Sequence, residues 1–279
     1  MINLLLVYLR KFPIDKYKHT LTRFINLKKY GRFIKYKNSH GVTFNLDLEE
    51  YQMKQIFFYD FYEKNTIRHL LKLISKLKTK RVTCIDVGGN IGFYTLTLDK
   101  ALTNIEHKIH CFEPNPSTIE YLEKNLLDNP TTNVQIIPMG LSNKEGTFTL
   151  RYNLKNTGTA SFYRTNSDGK SVEINVTTLD KYCTEKGIDN VDIIKVDIEG
   201  AELDFLKGSA SIINKSKNVI IIMEIVEENC LSAGYTSKDL FEYVVNLGFD
   251  AYLPKSWPFG MKKIETLPEH YHDNIIFIK

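Results

Sequence analysis

A doubly wound α/β domain, built on a mixed sheet of seven strands with flanking helices, is the fold this sequence predicts. Three observations carry it. From Val82 onward short apolar runs alternate with amphipathic segments, the rhythm of a parallel sheet with crossover helices. The first run, Val82–Val87, passes straight into GGNIG, a glycine-rich bend where a buried strand should hand over to a helix. A later run, Val191–Asp197, ends in the same manner, with acids and a glycine ahead of a helix start.

The elements follow in order. After Val82–Val87 comes Ile109–Glu113 (IHCFE), then a helix across Ser117–Leu126 with Ser117 as its N-cap. Val134–Pro138 is the third strand. Lys144–Tyr152 and Ser171–Thr178 read as paired antiparallel strands, an excursion around the polar stretch Asn153–Lys170. The sheet rhythm resumes at Val191–Asp197 and Val219–Ile225. A helix near Ser237–Leu247 leads to Phe249–Leu253, and Asn274–Ile278 closes the count at seven.

The first 78 residues differ in character, so the expected organisation is an extension over 1–78 and the α/β domain over 79–279. The extension should hold a hairpin (Arg32–Tyr36 and Val42–Leu46, turning at Ser39-His40-Gly41) and a helix across Ile67–Leu77. Its position suggests a lid or substrate platform over the cofactor edge of the sheet.

The 279 residues carry a net charge of +4, distributed unevenly. Residues 1–40 hold ten Lys/Arg against one acid, Asp15, which leaves the remainder net acidic. This basic stretch interleaves Tyr8, Phe12, Tyr17, Phe24, Tyr30, Phe33 and Tyr36. It suits an anionic membrane surface, an acidic glycan or a nucleotide-linked substrate, and equally a solvated charged face over a small core. No nucleic-acid recognition motif accompanies it. Cys84, Cys111, Cys183 and Cys230 form no CxxC pair or metal spacing, which fits a reduced, cytoplasmic chain. The apolar run Ile2–Leu9 is far short of the roughly 20 residues that span a bilayer.

The glycine placement bears on the cofactor. A dinucleotide fingerprint sets glycines two and then three residues apart. Counting from Gly88, those positions hold Asn90 and Phe93. Asp86 ends the strand, where a diphosphate would meet a like charge. A cofactor with no phosphate and a positive sulfonium fits better, so the bend reads as an S-adenosylmethionine site. Asp86 would anchor the cofactor's amino-acid moiety, or simply cap the next helix. Gly88 and Gly92 let backbone approach the ligand. Asn90 would bond the ligand or tolerate a left-handed backbone.

Glu113 ends the second strand, 27 residues after Asp86. An acid there accepts both ribose hydroxyls, because two converging donors need an acceptor-only group. In Gly140-Leu141-Ser142-Asn143, Leu141 and Ser142 would flank and bond the adenine. The segment Lys195–Glu202 (KVDIEGAE) carries Asp197 and Glu199, candidates to orient a substrate hydroxyl or take its proton. Glu202 is a weaker candidate that a first-turn helix acid also explains. Glu224, inside an apolar strand, needs a partner there and is a candidate substrate contact. His270 and His272 are candidate bases; without a further ligand cluster they do not make a metal site, and none is assigned.

CIDVGGNIGFYTL, FEPNPSTIEYLEKNL, TTLDKY, IIKVDIEGAELDFLKG, IIMEI and the closing DNIIFI together resemble the FkbM family of S-adenosylmethionine-dependent methyltransferases. The resemblance runs from about Val82 to the C-terminus and implies the class I methyltransferase fold, with seven strands. It implies O-methylation of a sugar, glycan or secondary-metabolite hydroxyl. Carried over by motif, Asp86, Gly88, Asn90, Gly92 and Glu113 bind the cofactor, and Asp197 and Glu199 face the substrate. The competing readings are a nicotinamide-dependent oxidoreductase or epimerase, and a non-catalytic cofactor-binding module.

Overall fold

The computed structural model describes residues 4–11, 18–153, 156–163, 169–256 and 258–279. Of the basic N-terminal stretch, Phe12, Asp15, Lys16 and Tyr17 lie outside them, as do Ile2 and Asn3 of the apolar run and parts of the polar stretch Asn153–Lys170. The chain opens with helices α1 (Leu4–Lys11) and α2 (Lys18–Leu21), then a hairpin of β1 (Phe33–Lys37) and β2 (Thr43–Asp47). Helices α3 (Tyr51–Tyr59) and α4 (Lys64–Ile74) follow. The α/β part then runs β3 (Arg81–Val87), α5 (Phe93–Ala101), β4 (Glu106–Phe112), α6 (Pro116–Asp128) and β5 (Val134–Ile137). A small sheet is inserted next, from β6 (Gly140–Leu141), β7 (Gly146–Asn153), β8 (Asn156–Ser161) and β9 (Lys170–Thr177). The chain returns through α7 (Leu179–Lys186), β10 (Ile193–Val196), α8 (Glu202–Lys207), α9 (Ala210–Lys215), β11 (Ile220–Val226), α10 (Glu227–Ser232) and α11 (Ser237–Asn246). It ends with β12 (Asp250–Pro254), β13 (Met261–Ile264) and β14 (His272–Ile278).

The main sheet has the order β13-β12-β14-β11-β10-β3-β4-β5. The strands from β11 to β5 pair in parallel, whereas β14, β12 and β13 add antiparallel pairings. The order reverses between β3 and β10, so the carboxyl ends of those strands border the crevice where an open α/β sheet binds ligand. The sheet has eight strands rather than seven. The extra one, β13, is a four-residue edge strand reading MKKI with both lysines exposed, too short and too polar to show an apolar run. The inserted β7 and β9 pair antiparallel as expected. β8, lying within the polar stretch, adds a further strand beside β7.

Alternate side chains divide the core. Val82, Cys84, Ile193, Ile220, Ile222 and Ile276 face one layer; Ile85, Val87, Ile194, Val196, Ile221 and Met223 face the other. The second layer is filled from the helices between β9 and β12, including Leu179, Phe205, Ile213, Leu240 and Phe241. The first is filled by the N-terminal residues themselves: Phe44, Leu46, Met53, Ile56, Ile67 and Leu70 share one continuous core with β3. The hairpin is also tied to α6, where Asn125 Oδ1 accepts the Asn45 backbone N–H at 2.7 Å and Asn129 Oδ1 accepts that of Thr43 at 2.8 Å. Several N-terminal cations have internal partners. Arg10 donates to the Phe57 carbonyl at 2.7 Å, and Arg32 pairs with Asp47 at 2.8 Å. Leu4, Phe24 and Phe33 remain exposed.

One cap differs from expectation. Helix α6 is capped by Asn115, whose Oδ1 accepts the Ser117 N–H at 3.1 Å. Pro116 fills the first helical position, where a missing N–H costs nothing, so the cap falls one residue before it. Among the described residues no helix is long and apolar enough to cross a membrane.

Candidate active site

The carboxyl ends of β3, β4 and β10 open into a cleft of about 960 Å³, mouth included. Its floor is the glycine bend. Gly88 has φ +81°, and its N–H and that of Gly89 both donate to the Phe112 carbonyl, at 2.9 and 3.0 Å. A Cβ on Gly89 would stand 2.1 Å from Cys111 Sγ, so the turn lies flat on β4. Gly92, at φ +87°, is the N-cap of α5. Backbone held this low leaves room for a ligand above it.

Asp86 is buried and lines the cleft. Its Oδ2 accepts the Thr95 hydroxyl at 2.5 Å, and the Thr95 backbone N–H supports the same carboxylate. The acid therefore ties strand β3 to the first turn of α5 while lining the cleft. Burial pushes its pKa up to about 6 despite the Thr95 bonds and the charge of Lys195.

Glu113, just past β4, is likewise buried and lines the cleft. Its Oε1 accepts the Asn115 N–H and its Oε2 the Asn90 N–H, each at 2.8 Å. Each oxygen keeps a second lone pair. Burial pushes this carboxyl up to about 7, against the pull of those two N–H groups. Asn90 has the left-handed φ of +47°, and its side-chain amide donates to Gln52 Oε1. Gln52 also reaches Tyr62 OH at 3.3 Å and packs on Gly158 of β8. With Ile56, Tyr62, Ala160 and Phe162, these residues roof the cleft from the N-terminal segment and the inserted sheet.

Ser142 is placed elsewhere. It is buried behind the cleft wall, its N–H donating to the Thr177 carbonyl at 3.0 Å, and Met139, Gly140 and Leu141 line the cavity instead. Apolar side chains and backbone line the cleft here, and Ser142 is not part of that lining.

At the other end stand the acids of the second motif. Asp197 lines the cleft. Glu199 has φ +53°, accepts the Asn229 amide at 2.6 Å and lies outside the cleft lining. Glu224 is raised to about 9 by burial and by the charges of Asp197 and Glu63. Carboxylate oxygens of Asp197, Glu199 and Glu224 lie within 4.8 Å of one another, a spacing a hard divalent cation can bridge. Glu202 turns inward: Oε2 accepts the Gly200 N–H at 2.9 Å and Tyr235 OH at 3.2 Å, and Oε1 the Ile198 N–H at 3.3 Å. It braces the loop from behind. His270 and His272 are exposed and outside the cleft lining.

Lys195 is a cleft residue that motif reading passed over. It is 1% exposed yet lines the cleft. Its Nζ donates to Asn274 Oδ1 at 3.0 Å, lies 3.5 Å from Asp197 Oδ2 and 3.9 Å from Glu63 Oε2, and sits 4.9 Å over the Tyr94 ring. Burial opposes its charge, but Asp197, Glu63, Glu224 and Asp86 outweigh that and raise its pKa, so it stays an ammonium. The signal was a lysine inside the apolar run DIIKVD, since lysine is almost never buried without a partner.

Residues 86–250 match the Methyltransferase FkbM domain, more than half of the chain. The chain belongs to the FkbM methyltransferase family. Methyltransferase 1 of Beauveria bassiana is 27% identical over 179 residues, 57% of this chain and 69% of that protein. The hexuronic acid methyltransferase AglP of Haloferax volcanii is 29% identical over 140 residues, 49% of this chain and 53% of AglP. The 2-O-methyltransferase NoeI of Sinorhizobium fredii is 21% identical over 173 residues, 52% of this chain and 65% of NoeI. The chain thus spans between 53% and 69% of the length of these relatives. The FkbM match begins at Asp86, so the glycine bend, Glu113 and the KVDIEGAE segment all fall inside it. The α/β architecture with its large mixed sheet is the class I methyltransferase fold.

Proposed function

We propose that this FkbM methyltransferase uses S-adenosylmethionine to methylate a hydroxyl group on a sugar, glycan or secondary metabolite. The observation that carries the reading is Glu113 accepting the Asn90 N–H at 2.8 Å. The acid that would read a ribose and the bend that would lie under it are one hydrogen-bonded unit. Gly88, Gly89 and Gly92 keep the bend low, Leu141 and Met139 offer an apolar wall for the adenine, and Asp86 and Asp197 suit a ligand carrying positive charge.

When bound, the cofactor supplies an electrophilic methyl group on a sulfonium. The protein's part is alignment and exclusion of water, which carry most of the gain in a displacement that neutralises charge. Tyr62, Gln52 and the β8 segment close the roof. The N-terminal residues thus serve as a platform rather than a free-standing lid. Asp197, at the cleft edge beside a fixed ammonium, is the residue that would take the hydroxyl proton when the methyl group passes from sulfur to that oxygen. Glu199, held by Asn229, orients the loop that presents Asp197. AglP, by its name, acts on a hexuronic acid, and NoeI is named for a 2-O position, which supports a sugar hydroxyl as the acceptor.

The test is incubation with methyl-labelled S-adenosylmethionine and fractionated glycans and polyols, followed by location of the label. Label on a carbohydrate oxygen is expected, and label on nitrogen or carbon overturns the O-specific reading. Calorimetry with S-adenosylhomocysteine and NAD checks the cofactor: binding of NAD alone overturns it.

A further inference from the structure

We propose that Lys195 anchors the carboxylate of the cofactor's amino-acid end, an inference that rests on the S-adenosylmethionine reading above. Among the described residues that line the cleft, Asp86, Glu113 and Asp197 are acids and Lys195 is the one base. A cofactor whose far end is an α-amino acid brings one carboxylate and one ammonium. Glu113 serves the ribose, and Asp86 and Asp197 face the ammonium and the sulfonium; among these lining residues the carboxylate has one cationic partner to meet.

The sheet places that partner at the right end. Lys195 stands directly beside Asp86 in the β3–β10 pairing, and the alternation of side chains puts both on the face covered by the N-terminal layer. Glu113 follows β4, the strand on the other side of β3. A ligand with its ribose at Glu113 crosses β3 over the glycine bend and arrives at Lys195 two strand spacings away, about 10 Å. That is the span from a ribose to the end of an extended amino-acid chain.

The ammonium is also held for such a task. Asn274 lies opposite Glu224 in the β11–β14 pairing and accepts one Nζ proton at 3.0 Å. Tyr94 from α5 underlies the charge at 4.9 Å. Asp197 at 3.5 Å and Glu63 at 3.9 Å keep the group ionised without claiming all three of its donors at short range. A pre-placed cation loses little freedom when the carboxylate arrives, and a charge-assisted bond of this kind discriminates strongly.

Calorimetry with two product analogues tests this without any acceptor. S-adenosylhomocysteine has the amino-acid end; 5′-methylthioadenosine keeps the adenosine and sulfur and lacks it. The native chain should prefer the former. Lys195→Met should weaken S-adenosylhomocysteine roughly 10- to 100-fold and leave 5′-methylthioadenosine within about threefold, so the preference collapses. Lys195→Arg should restore part of it. If Lys195→Met gives no thermal unfolding transition, Lys195→Met with Glu63→Gln removes the stranded carboxylate along with its cation, and the same two titrations are read there. Equal weakening of both ligands, or no change in either, overturns the proposal: the first makes Lys195 a general support of the pocket, the second places it on the acceptor side. A native chain that binds neither ligand overturns the cofactor reading, and this inference with it.

Discussion

A Cβ placed on Gly88 would stand 2.0 Å from the carbonyl oxygen of Asp197. The turn after β3 and the turn after β10 therefore meet backbone to backbone, and the glycine bend and the loop bearing Asp197 form one wall. Gly88 also needs its φ of +81°. Neither demand can be met by a side chain moving aside. Gly88→Ala should cost about 2–3 kcal/mol and lower the melting temperature by roughly 5–10 °C. It should also weaken S-adenosylhomocysteine at least tenfold by calorimetry. A variant with native stability and affinity would mean that the two turns are not in contact.

Glu113 should make cofactor affinity depend on pH. Burial raises its pKa to about 7 in the free protein. In the proposed ribose role the ionised form would accept two hydroxyls, so binding would release a proton below that value. Affinity for S-adenosylhomocysteine should rise with pH, by up to about tenfold per unit below 7, and level off above it. The effect on the unligated fold has the opposite sense. A carboxyl raised in the folded state favours folding at acid pH, and that contribution fades as pH climbs from the unfolded value through about 7. Asp86, raised to about 6, acts the same way one step lower. Glu113→Gln should flatten the upper part of the affinity profile and weaken binding roughly 10- to 100-fold at pH 8. A profile that persists in the variant would assign the titration elsewhere.

Ser142→Ala should leave S-adenosylhomocysteine affinity within about twofold, because Ser142 is buried and outside the cleft lining that Gly140 and Leu141 help form. That contrast marks what was legible in the sequence. Asp86, the bend and Glu113 could be read because strand, turn and acid are neighbours in the chain and their geometry follows locally. Ser142 could not, since a two-residue strand sets which side chain faces the cleft and no periodicity shows in so short a run. Gln52, Tyr62 and Glu63 reach the site from 23 or more residues upstream of Asp86. Nothing in their local pattern points to a cleft; the shared core brings them there. β13 stayed hidden because an edge strand of MKKI gains its order from pairing with β12, not from burial.

Glu202 should behave as a brace rather than a reactive acid. It is 4% exposed and holds the N–H groups of Gly200 and Ile198 and the Tyr235 hydroxyl. Glu202→Ala leaves buried donors without their acceptor, at a cost of about 1–3 kcal/mol. Denaturant unfolding should show that loss, and methyl transfer should fall only as far as the loop bearing Asp197 and Glu199 loosens. Full stability with abolished transfer would instead place Glu202 in the chemistry.

Removal of residues 1–78 should unfold the remainder. Phe44, Leu46, Met53, Ile56, Ile67 and Leu70, all at 2% exposure or less, cover the face of β3 that carries Val82 and Cys84. Burying each such side chain contributes about 1.5–3 kcal/mol, so the six together match the whole stability of a typical domain, about 5–15 kcal/mol. The same cut strips Gln52 and Tyr62 from the roof and bares Lys195 and Asp86 to water. A 79–279 fragment should therefore show no cooperative thermal transition, bind a hydrophobic dye, and fail to bind S-adenosylhomocysteine. A fragment that melts cooperatively and binds the ligand would make the extension a true accessory domain and return it to the role of a lid.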